Sequence, residues 1–272
     1  MKATILGCGY VGTAVARLWH HKGHTVTATT TTPEKVFGLQ AIVSQVAVVT
    51  GGEGEKLKQL LAQQDILLIC VGAGRQASYE ATYLNTAKTL AAILPQTSIR
   101  QVIFTSSYSL YGDHQGAWVD ESTPVKPATA NGETMAATER TLLDTITPQR
   151  RVCIFRLGGI YGPGRELSKI YGRIAGTTRP GTGEEGSNWI HLEDIVGAID
   201  FACQHHLNGI YNLVQDEVPT VRELIQRVCD THQIPPIAWD PSQPSRRPYN
   251  VRVANQKLKA AGYRFRHPNF AL

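Results

Sequence analysis

No uninterrupted apolar stretch approaches the ~18 residues that a bilayer-crossing helix needs, so no membrane span is expected anywhere in the 272 residues. Cysteine is scarce. The five thiols, Cys8, Cys70, Cys153, Cys203 and Cys229, are odd in number and far apart. That argues against a disulfide framework or a CxxC metal site and points to a cytoplasmic location. Charged residues make up only 18%, beside 42% hydrophobic, which is ordinary for a globular chain and excludes a largely disordered or fibrous one. Acid is missing from Pro241 to the end, where seven of the 27 Lys and Arg sit (Arg246, Arg247, Arg252, Lys257, Lys259, Arg264 and Arg266). The rest is near neutral, 20 bases against 22 acids. This basic tail has few aromatics and no recognised motif, so nucleic acid is not an expected partner. A solvated face, or a pocket edge facing an anionic small molecule, are the alternatives.

What is present alternates between strand and helix. Ala3–Leu6 is a β-type run, and Val11–His21 has Val11, Val15, Leu18 and Trp19 at helical spacing. Thr25–Thr29 and Ala47–Val49 read as strands, and Asp65–Val71 is a continuous apolar run suited to a central parallel strand. Tyr79–Leu94 reads as a helix stopped by Pro95, and Gln101–Ser106 and Arg151–Arg156 as further strands. The pattern predicts an α/β fold, a doubly wound parallel sheet of the Rossmann type. After residue 160 the texture changes. Gly176–Ser187 reads as a loop, Ile195–Cys203 as a helix and Ile210–Leu213 as a strand. Thr220–Glu223 is a capping box opening a helix to His232, and Ala254–Ala261 is a last helix ended by Gly262. The expected division is a nucleotide-binding domain over 1–160, its sheet completed by 188–215. Residues 161–187 and 216–272 form a smaller, discontinuous, substrate-side lobe.

Gly7-Cys8-Gly9-Tyr10-Val11-Gly12 fits G-x-G-x-x-G between a strand and a helix. In that context Gly7 permits the tight turn, Gly9 lets backbone N–H groups reach a pyrophosphate, and Gly12 lets helix and strand pack closely. An NAD site would place an acid about 20 residues on, for the ribose hydroxyl. This chain instead reads Thr29-Thr30-Thr31-Thr32, with Lys35 behind. Thr30, Thr31 and Thr32 with Lys35 suit a 2′-phosphate, so NADP is expected over NAD.

Several ordered segments make the chain resemble an extended short-chain dehydrogenase/reductase of the NAD(P)-dependent epimerase/dehydratase family. Beside the glycines these are Thr105-Ser-Ser-Tyr-Ser-Leu-Tyr-Gly112, Glu121-Ser-Thr-Pro124, Arg156-Leu-Gly-Gly-Ile-Tyr-Gly-Pro-Gly164, Ile190-His-Leu-Glu-Asp194, Tyr211-Asn212 and Arg247-Pro248. It is most similar to the small atypical members described as nucleoside-diphosphate-sugar epimerase-like. The resemblance implies strand order 3-2-1-4-5-6 with a seventh possible. It implies cofactor contacts from Gly7 to Gly12, including Tyr10 and Val11, from Val71, Gly72 and Ala73, from Ser106, and from Gly158 and Gly159. Ser107, five residues before Gly112, matches the family's catalytic serine, and Arg247, with Arg165 more weakly, would face a substrate anion.

One element of that pattern is missing. The family's Tyr-x-x-x-Lys pair lowers a phenol pKa for proton transfer, but Asn131 stands where Tyr belongs and Met135 where Lys belongs. Glu133, Tyr108 and Tyr111 are the stand-ins on offer. The expectation is an NAD(P)-dependent oxidoreductase or epimerase with an atypical active site, acting on a small polar, sugar- or nucleotide-sugar-like substrate, as a monomer or homodimer. The alternative is a non-catalytic NADP(H)-sensing regulatory protein. His20, His21 and His24, and His205 and His206, lack a carboxylate at ligand spacing, so no metal site is expected.

Overall fold

The strands, in chain order, are β1 (Lys2–Leu6), β2 (Thr25–Thr30), β3 (Gln45–Val48), β4 (Ile66–Ile69), β5 (Gln101–Ser107), β6 (Trp118–Val119), β7 (Arg151–Leu157), β8 (Gly159–Tyr161), β9 (Thr178–Pro180), β10 (Trp189–His191), β11 (Gly209–Leu213), β12 (Ala238–Asp240) and β13 (Arg252–Val253). The helices are α1 (Tyr10–His21), α2 (Val36–Gln40), α3 (Gly54–Leu61), α4 (Thr86–Ile93), α5 (Ala130–Leu143), α6 (Leu167–Gly172), α7 (Leu192–Gln204), α8 (Val221–His232) and α9 (Gln256–Ala260). This computed structural model describes residues 1–43, 45–74 and 78–272.

The central sheet has seven strands in the order β11-β7-β5-β4-β1-β2-β3, the expected Rossmann order with the seventh strand present. The pairs β3–β2, β2–β1, β1–β4 and β4–β5 run parallel. All four residues of β4 are buried, which is why it reads as unbroken ILLI rather than as an alternation: a central parallel strand is covered on both faces. Helix α1 buries Val11, Val15 and Trp19 along one stripe, with Gly12 and Ala16 letting it approach the sheet closely. The helix expected over Tyr79–Leu94 is there, beginning at Tyr79, but it widens into a π turn at Ala81–Asn85 and closes with a 3₁₀ turn at Leu94–Gln96 around Pro95. Helices α2, α3 and α6 were not anticipated. For α3 the signal existed, since Leu57 and Leu61 are one turn apart and both buried.

The chain divides into two units. The first holds Met1–Ser106, Ala130–Phe155 and Val196–Tyr211; the second holds Ser107–Thr129, Arg156–Ile195 and Asn212–Leu272. Residues 107–129 and 156–160, expected with the nucleotide-binding domain, therefore group with the second unit. That unit is built from short parallel pairs, β8 with β10, β9 with β12 and β6 with β13. Helix α8 begins with the expected capping box, in which Thr220 and Glu223 satisfy each other's backbone N–H. The basic tail is an integral part of this unit. Asn188 Nδ2 donates to Val251 O (2.8 Å), Asn212 Nδ2 to Ala254 O (2.9 Å) and Asn255 Nδ2 to Val214 O (2.9 Å). Three buried amides thus hold a segment with little secondary structure of its own. No helix among the described residues is long and apolar enough to cross a membrane.

Candidate functional site

Strand β1 delivers the chain to Gly7, whose φ of +96° lies in the left-handed region. A Cβ there would sit 2.8 Å from the Cys70 carbonyl oxygen. The Gly7 N–H donates to Thr29 Oγ1 (3.0 Å) and the Cys8 N–H to the Thr29 carbonyl (2.8 Å), which ties the turn to the end of β2. A Cβ on Gly12, in the first turn of α1, would lie 2.4 Å from Gly7 O. Gly9 differs. It is the N-cap of α1 with φ −88°, and a Cβ built on it meets no protein atom within 4 Å. Packing demands two of the three glycines and not the third. Clear space at a helix start, where first-turn N–H groups have no acceptor inside the helix and the dipole favours negative charge, is what an anionic ligand uses. Tyr10 and Val11 belong to that first turn.

The neighbouring loops fall beside this turn because β4, β1 and β2 are adjacent in the sheet. The chain leaves β1 toward β2 on one side and reaches β4 on the other, the arrangement that opens a crevice at the strands' carboxyl ends. Of the threonine row, two members serve the fold. Thr29 accepts from Gly7, and buried Thr30 accepts from the Thr32 N–H (3.1 Å). Thr31 is exposed, Thr32 half-buried, and Lys35 exposed in the next turn. On the β4 side Val71 is half-buried and Gly72 and Ala73 are exposed. Tyr83 stands near: burial raises its phenol pKa against the pull of a hydrogen bond from the Ala73 backbone, and its ring lies 4.5 Å from that of Tyr79. The thiols of Cys8 and Cys70 lie behind the turn, and burial pushes them up to about 11 and about 12 respectively. Cys8 is a neutral core filler.

Helix α5 carries the positions of the missing pair. Asn131 is exposed, Met135 is 3% exposed and packs into the core, and Glu133 is exposed. One further turn along, Glu139 is buried, and its Oε1 accepts a 2.6 Å hydrogen bond from the Ser106 hydroxyl. Ser106 is thus engaged with a buried carboxylate that the sequence reading passed over. Its place four residues after Met135 on the same face was readable.

Within the second unit, Ser107 caps a 3₁₀ turn over Tyr108–Tyr111. Its Oγ accepts from the Ser109 N–H (3.2 Å) and lies 2.9 Å from Ser109 Oγ. Both tyrosines of that turn are buried. Arg247 Nη2 donates to the Tyr108 hydroxyl (2.9 Å), and burial drives that phenol's pKa upward, with the Arg247 charge pulling the other way. The Tyr111 hydroxyl donates to Asn212 Oδ1 (2.9 Å), and burial raises its pKa too. Neither is an acid/base near neutrality, which removes two of the three stand-ins. Arg247 also donates to Gly186 O (3.1 Å) and lies over the Tyr249 ring. Arg165 sits exposed in the turn bridged between Gly162 and Arg165. A Cβ on Gly158 would meet the Trp189 backbone at 2.9 Å, and one on Gly159 the Trp189 ring at 2.8 Å. The pairing of β8 with β10 therefore explains both glycines by itself. In the first unit, a separate cavity of about 980 Å³ opens at the amino-terminal end of the sheet, lined by Asp65, Arg100, Gln101, Arg150 and Arg151; it shares no residue with the glycine turn.

A dinucleotide-type turn at the switch point of a seven-stranded doubly wound sheet defines the class of protein, and sequence comparison agrees. The profile of the NAD dependent epimerase/dehydratase family matches residues 3–213, and the chain belongs to that family. It is similar to the Escherichia coli (strain K12) protein YeeZ, 34% identical over 218 residues that cover 78% of this chain and 77% of that protein. Among solved structures it is similar to a functionally unknown conserved protein from Silicibacter pomeroyi DSS, with 26% identity, a TM-score of 0.81, and 99% of this chain and 95% of that one covered. It also shares its fold with the human epimerase family protein SDR39U1 (isoform2), solved with NADPH, at 18% identity and a TM-score of 0.79 over 99% and 96% of the chains.

Proposed function

We propose that the chain binds a nicotinamide dinucleotide, NADP(H) in preference to NAD(H), at its glycine turn. It would act on a small polar, sugar- or nucleotide-sugar-like substrate by oxidation–reduction or by epimerisation. The single observation that carries the reading is Gly9: a glycine with no packing reason to be one, at the N-cap of α1, between the loops that follow β2 and β4.

The residues fit such a ligand. The first turn of α1, including Tyr10 and Val11, would hold the pyrophosphate through backbone N–H groups. Thr31, Thr32 and Lys35 would receive a 2′-phosphate; Thr30 would shape the loop, because its hydroxyl already holds the Thr32 N–H. No carboxylate among Thr29–Thr32 competes for a ribose hydroxyl. Val71, Gly72 and Ala73 would line the opposite side of the crevice. When bound, the cofactor supplies hydride transfer. Proton transfer falls to other groups than the usual pair, since neither Asn131 nor Met135 titrates near neutrality. Ser107, through its hydroxyl shared with Ser109, would orient a substrate oxygen, and Arg247 or Arg165 would bind a substrate anion. Fold relatives solved with NADPH and with NAD support a nicotinamide dinucleotide as the ligand, while the preference for NADP(H) rests on the threonine row.

A second reading has its own support. Met135 is a core residue and the Ser107 hydroxyl is taken up locally, a pattern suited to a protein that senses the NADP(H) state without turnover. Calorimetry of coenzyme-stripped protein with NADP⁺, NADPH, NAD⁺ and NADH, followed by turnover assays on a panel of sugars and nucleotide sugars, tests both. Binding with turnover that falls in Ser107→Ala is the expected result. Tight binding without turnover selects the sensor, preference for NAD(H) overturns the threonine argument, and no heat from any of the four overturns both readings.

A further inference from the structure

The second unit contains a group of side chains that neither reading above uses: His191 at the end of β10, Glu193 in the first turn of α7, and His267 in the C-terminal segment. One potential ligand atom from each lies within 4.8 Å of the other two. We propose that these three residues bind a divalent transition-metal ion of the zinc class, with water completing its coordination.

Two imidazole nitrogens and one carboxylate oxygen are a donor set that zinc takes, and three protein ligands leave a fourth position open. Bonds of about 2.0–2.1 Å to a tetrahedral ion put its ligand atoms about 3.3 Å apart. His267 Nε2 and Glu193 Oε2 already stand 3.0 Å apart, and the His191 and His267 rings are 3.8 Å apart between centroids. The remaining separations, to the His191 nitrogen, are no more than 4.8 Å. The exposure of Glu193 leaves the ion a side facing water, while buried His191 anchors the other. A hydrogen bond between His267 and Glu193 alone, with Glu193 exposed, stabilises little; His191 Nδ1 accepts the Glu193 N–H at a long 3.3 Å, a contact that ion binding would replace.

The backbone that presents these ligands is held independently of them. Buried Asp194, next to Glu193, accepts from the Arg266 N–H (2.7 Å), the His267 N–H (2.9 Å) and the Tyr263 hydroxyl (3.2 Å). On the other side of His267, Pro268 O accepts from the N–H groups of Asp216 (2.9 Å) and Glu217 (3.2 Å). His267 is therefore clamped from both flanks, and Tyr161 packs edge-on to His191 at 5.1 Å between ring centroids. Supporting contacts of this kind fix ligand orientation before an ion arrives. Sequence spacing hides the site because His267 is far along the chain from His191 and only folding makes them neighbours.

The test uses the full chain without a histidine tag, stripped with a chelator and titrated with Zn²⁺ by calorimetry and with Co²⁺ by visible absorption. We expect one equivalent to bind, Co²⁺ to show the intense bands of a tetrahedral site, and His267→Ala and Glu193→Gln each to weaken binding by about tenfold or more. Glu193→Gln keeps an acceptor for His267 and removes only the anionic ligand, so it separates ligation from packing. His20→Ala/His21→Ala should bind as wild type does. A wild-type chain that takes up neither ion, or a Glu193→Gln chain that binds Zn²⁺ as tightly as wild type, overturns the proposal.

Discussion

Gly12 lies so close to Gly7 that a Cβ on residue 12 would stand 2.4 Å from the Gly7 carbonyl oxygen, whereas a Cβ on residue 9, between them, would point into open space. The two positions should therefore separate stability from binding. Gly12→Ala must push α1 away from the turn and should cost at least about 2 kcal/mol, as overpacking at a rigid backbone does. Gly9→Ala should cost no more than about 1 kcal/mol, the difference between Gly and Ala at an N-cap, while weakening dinucleotide binding at least tenfold. Urea midpoints together with calorimetric titration check both halves.

The Ser106–Glu139 contact is a buried hydroxyl held by a buried carboxylate. Ser106→Ala removes a hydrogen bond to a buried acidic group and should cost about 1.5–3 kcal/mol. Glu139→Gln, which keeps an acceptor of the same shape, should cost less than Glu139→Ala. Equal denaturation midpoints for the Gln and Ala variants would show that the contact adds nothing.

Asn212 joins three parts of the second unit. Its Oδ1 accepts from Tyr111, its Nδ2 donates to Ala254 O, and its backbone N–H donates to Glu121. Tyr111→Phe loses the hydroxyl's bond to Asn212 together with its bond to Arg156 and should cost about 1–2 kcal/mol; Asn212→Leu leaves the Tyr111 hydroxyl proton and the Ala254 carbonyl without their Asn212 partners and should cost more. Thermal midpoints of the two variants should fall in that order.

The thiols of Cys8 and Cys70 are raised by burial to about 11 and about 12. At pH 7.5 fewer than roughly one Cys8 in a thousand is a thiolate, so native protein should react slowly with a thiol reagent at these positions, and unfolded protein fast. The labelling rate should rise about tenfold per pH unit up to the folded pKa. Because the folded thiols hold their protons more tightly than unfolded ones at about 8.5, their contribution to stability is complete below that pH and is lost as pH climbs toward 11. Urea midpoints should therefore decline between pH 8 and pH 10.

Much of the fold was legible because its signals are local. A buried parallel strand must be apolar throughout, and β4 is. A helix packed on a sheet must carry a stripe, and α1 does. Thr220 and Glu223 are three residues apart and cap α8 as their spacing requires. The turn Gly7–Gly12 was legible for the same reason: every atom that explains it comes from one strand–turn–helix and the strand ends beside it. The π turn at Ala81–Asn85 was not, since a helix that adjusts its register to packed neighbours leaves no trace in its own periodicity.

By itself, the order of residues determined the alternation of strand and helix, the glycine turn, the row of hydroxyls in place of an acid, and the replacement of a tyrosine and a lysine by Asn131 and Met135. Only tertiary structure decided what the polar side chains do: that Thr30 serves its own loop, that Ser106 meets Glu139, that the Tyr108 hydroxyl accepts from Arg247, and that His267 comes to His191 and Glu193. The reason is range. Hydrophobic periodicity and turn chemistry act over a few residues and are written along the chain, whereas a hydrogen bond or a ligand set joins atoms that folding alone makes neighbours.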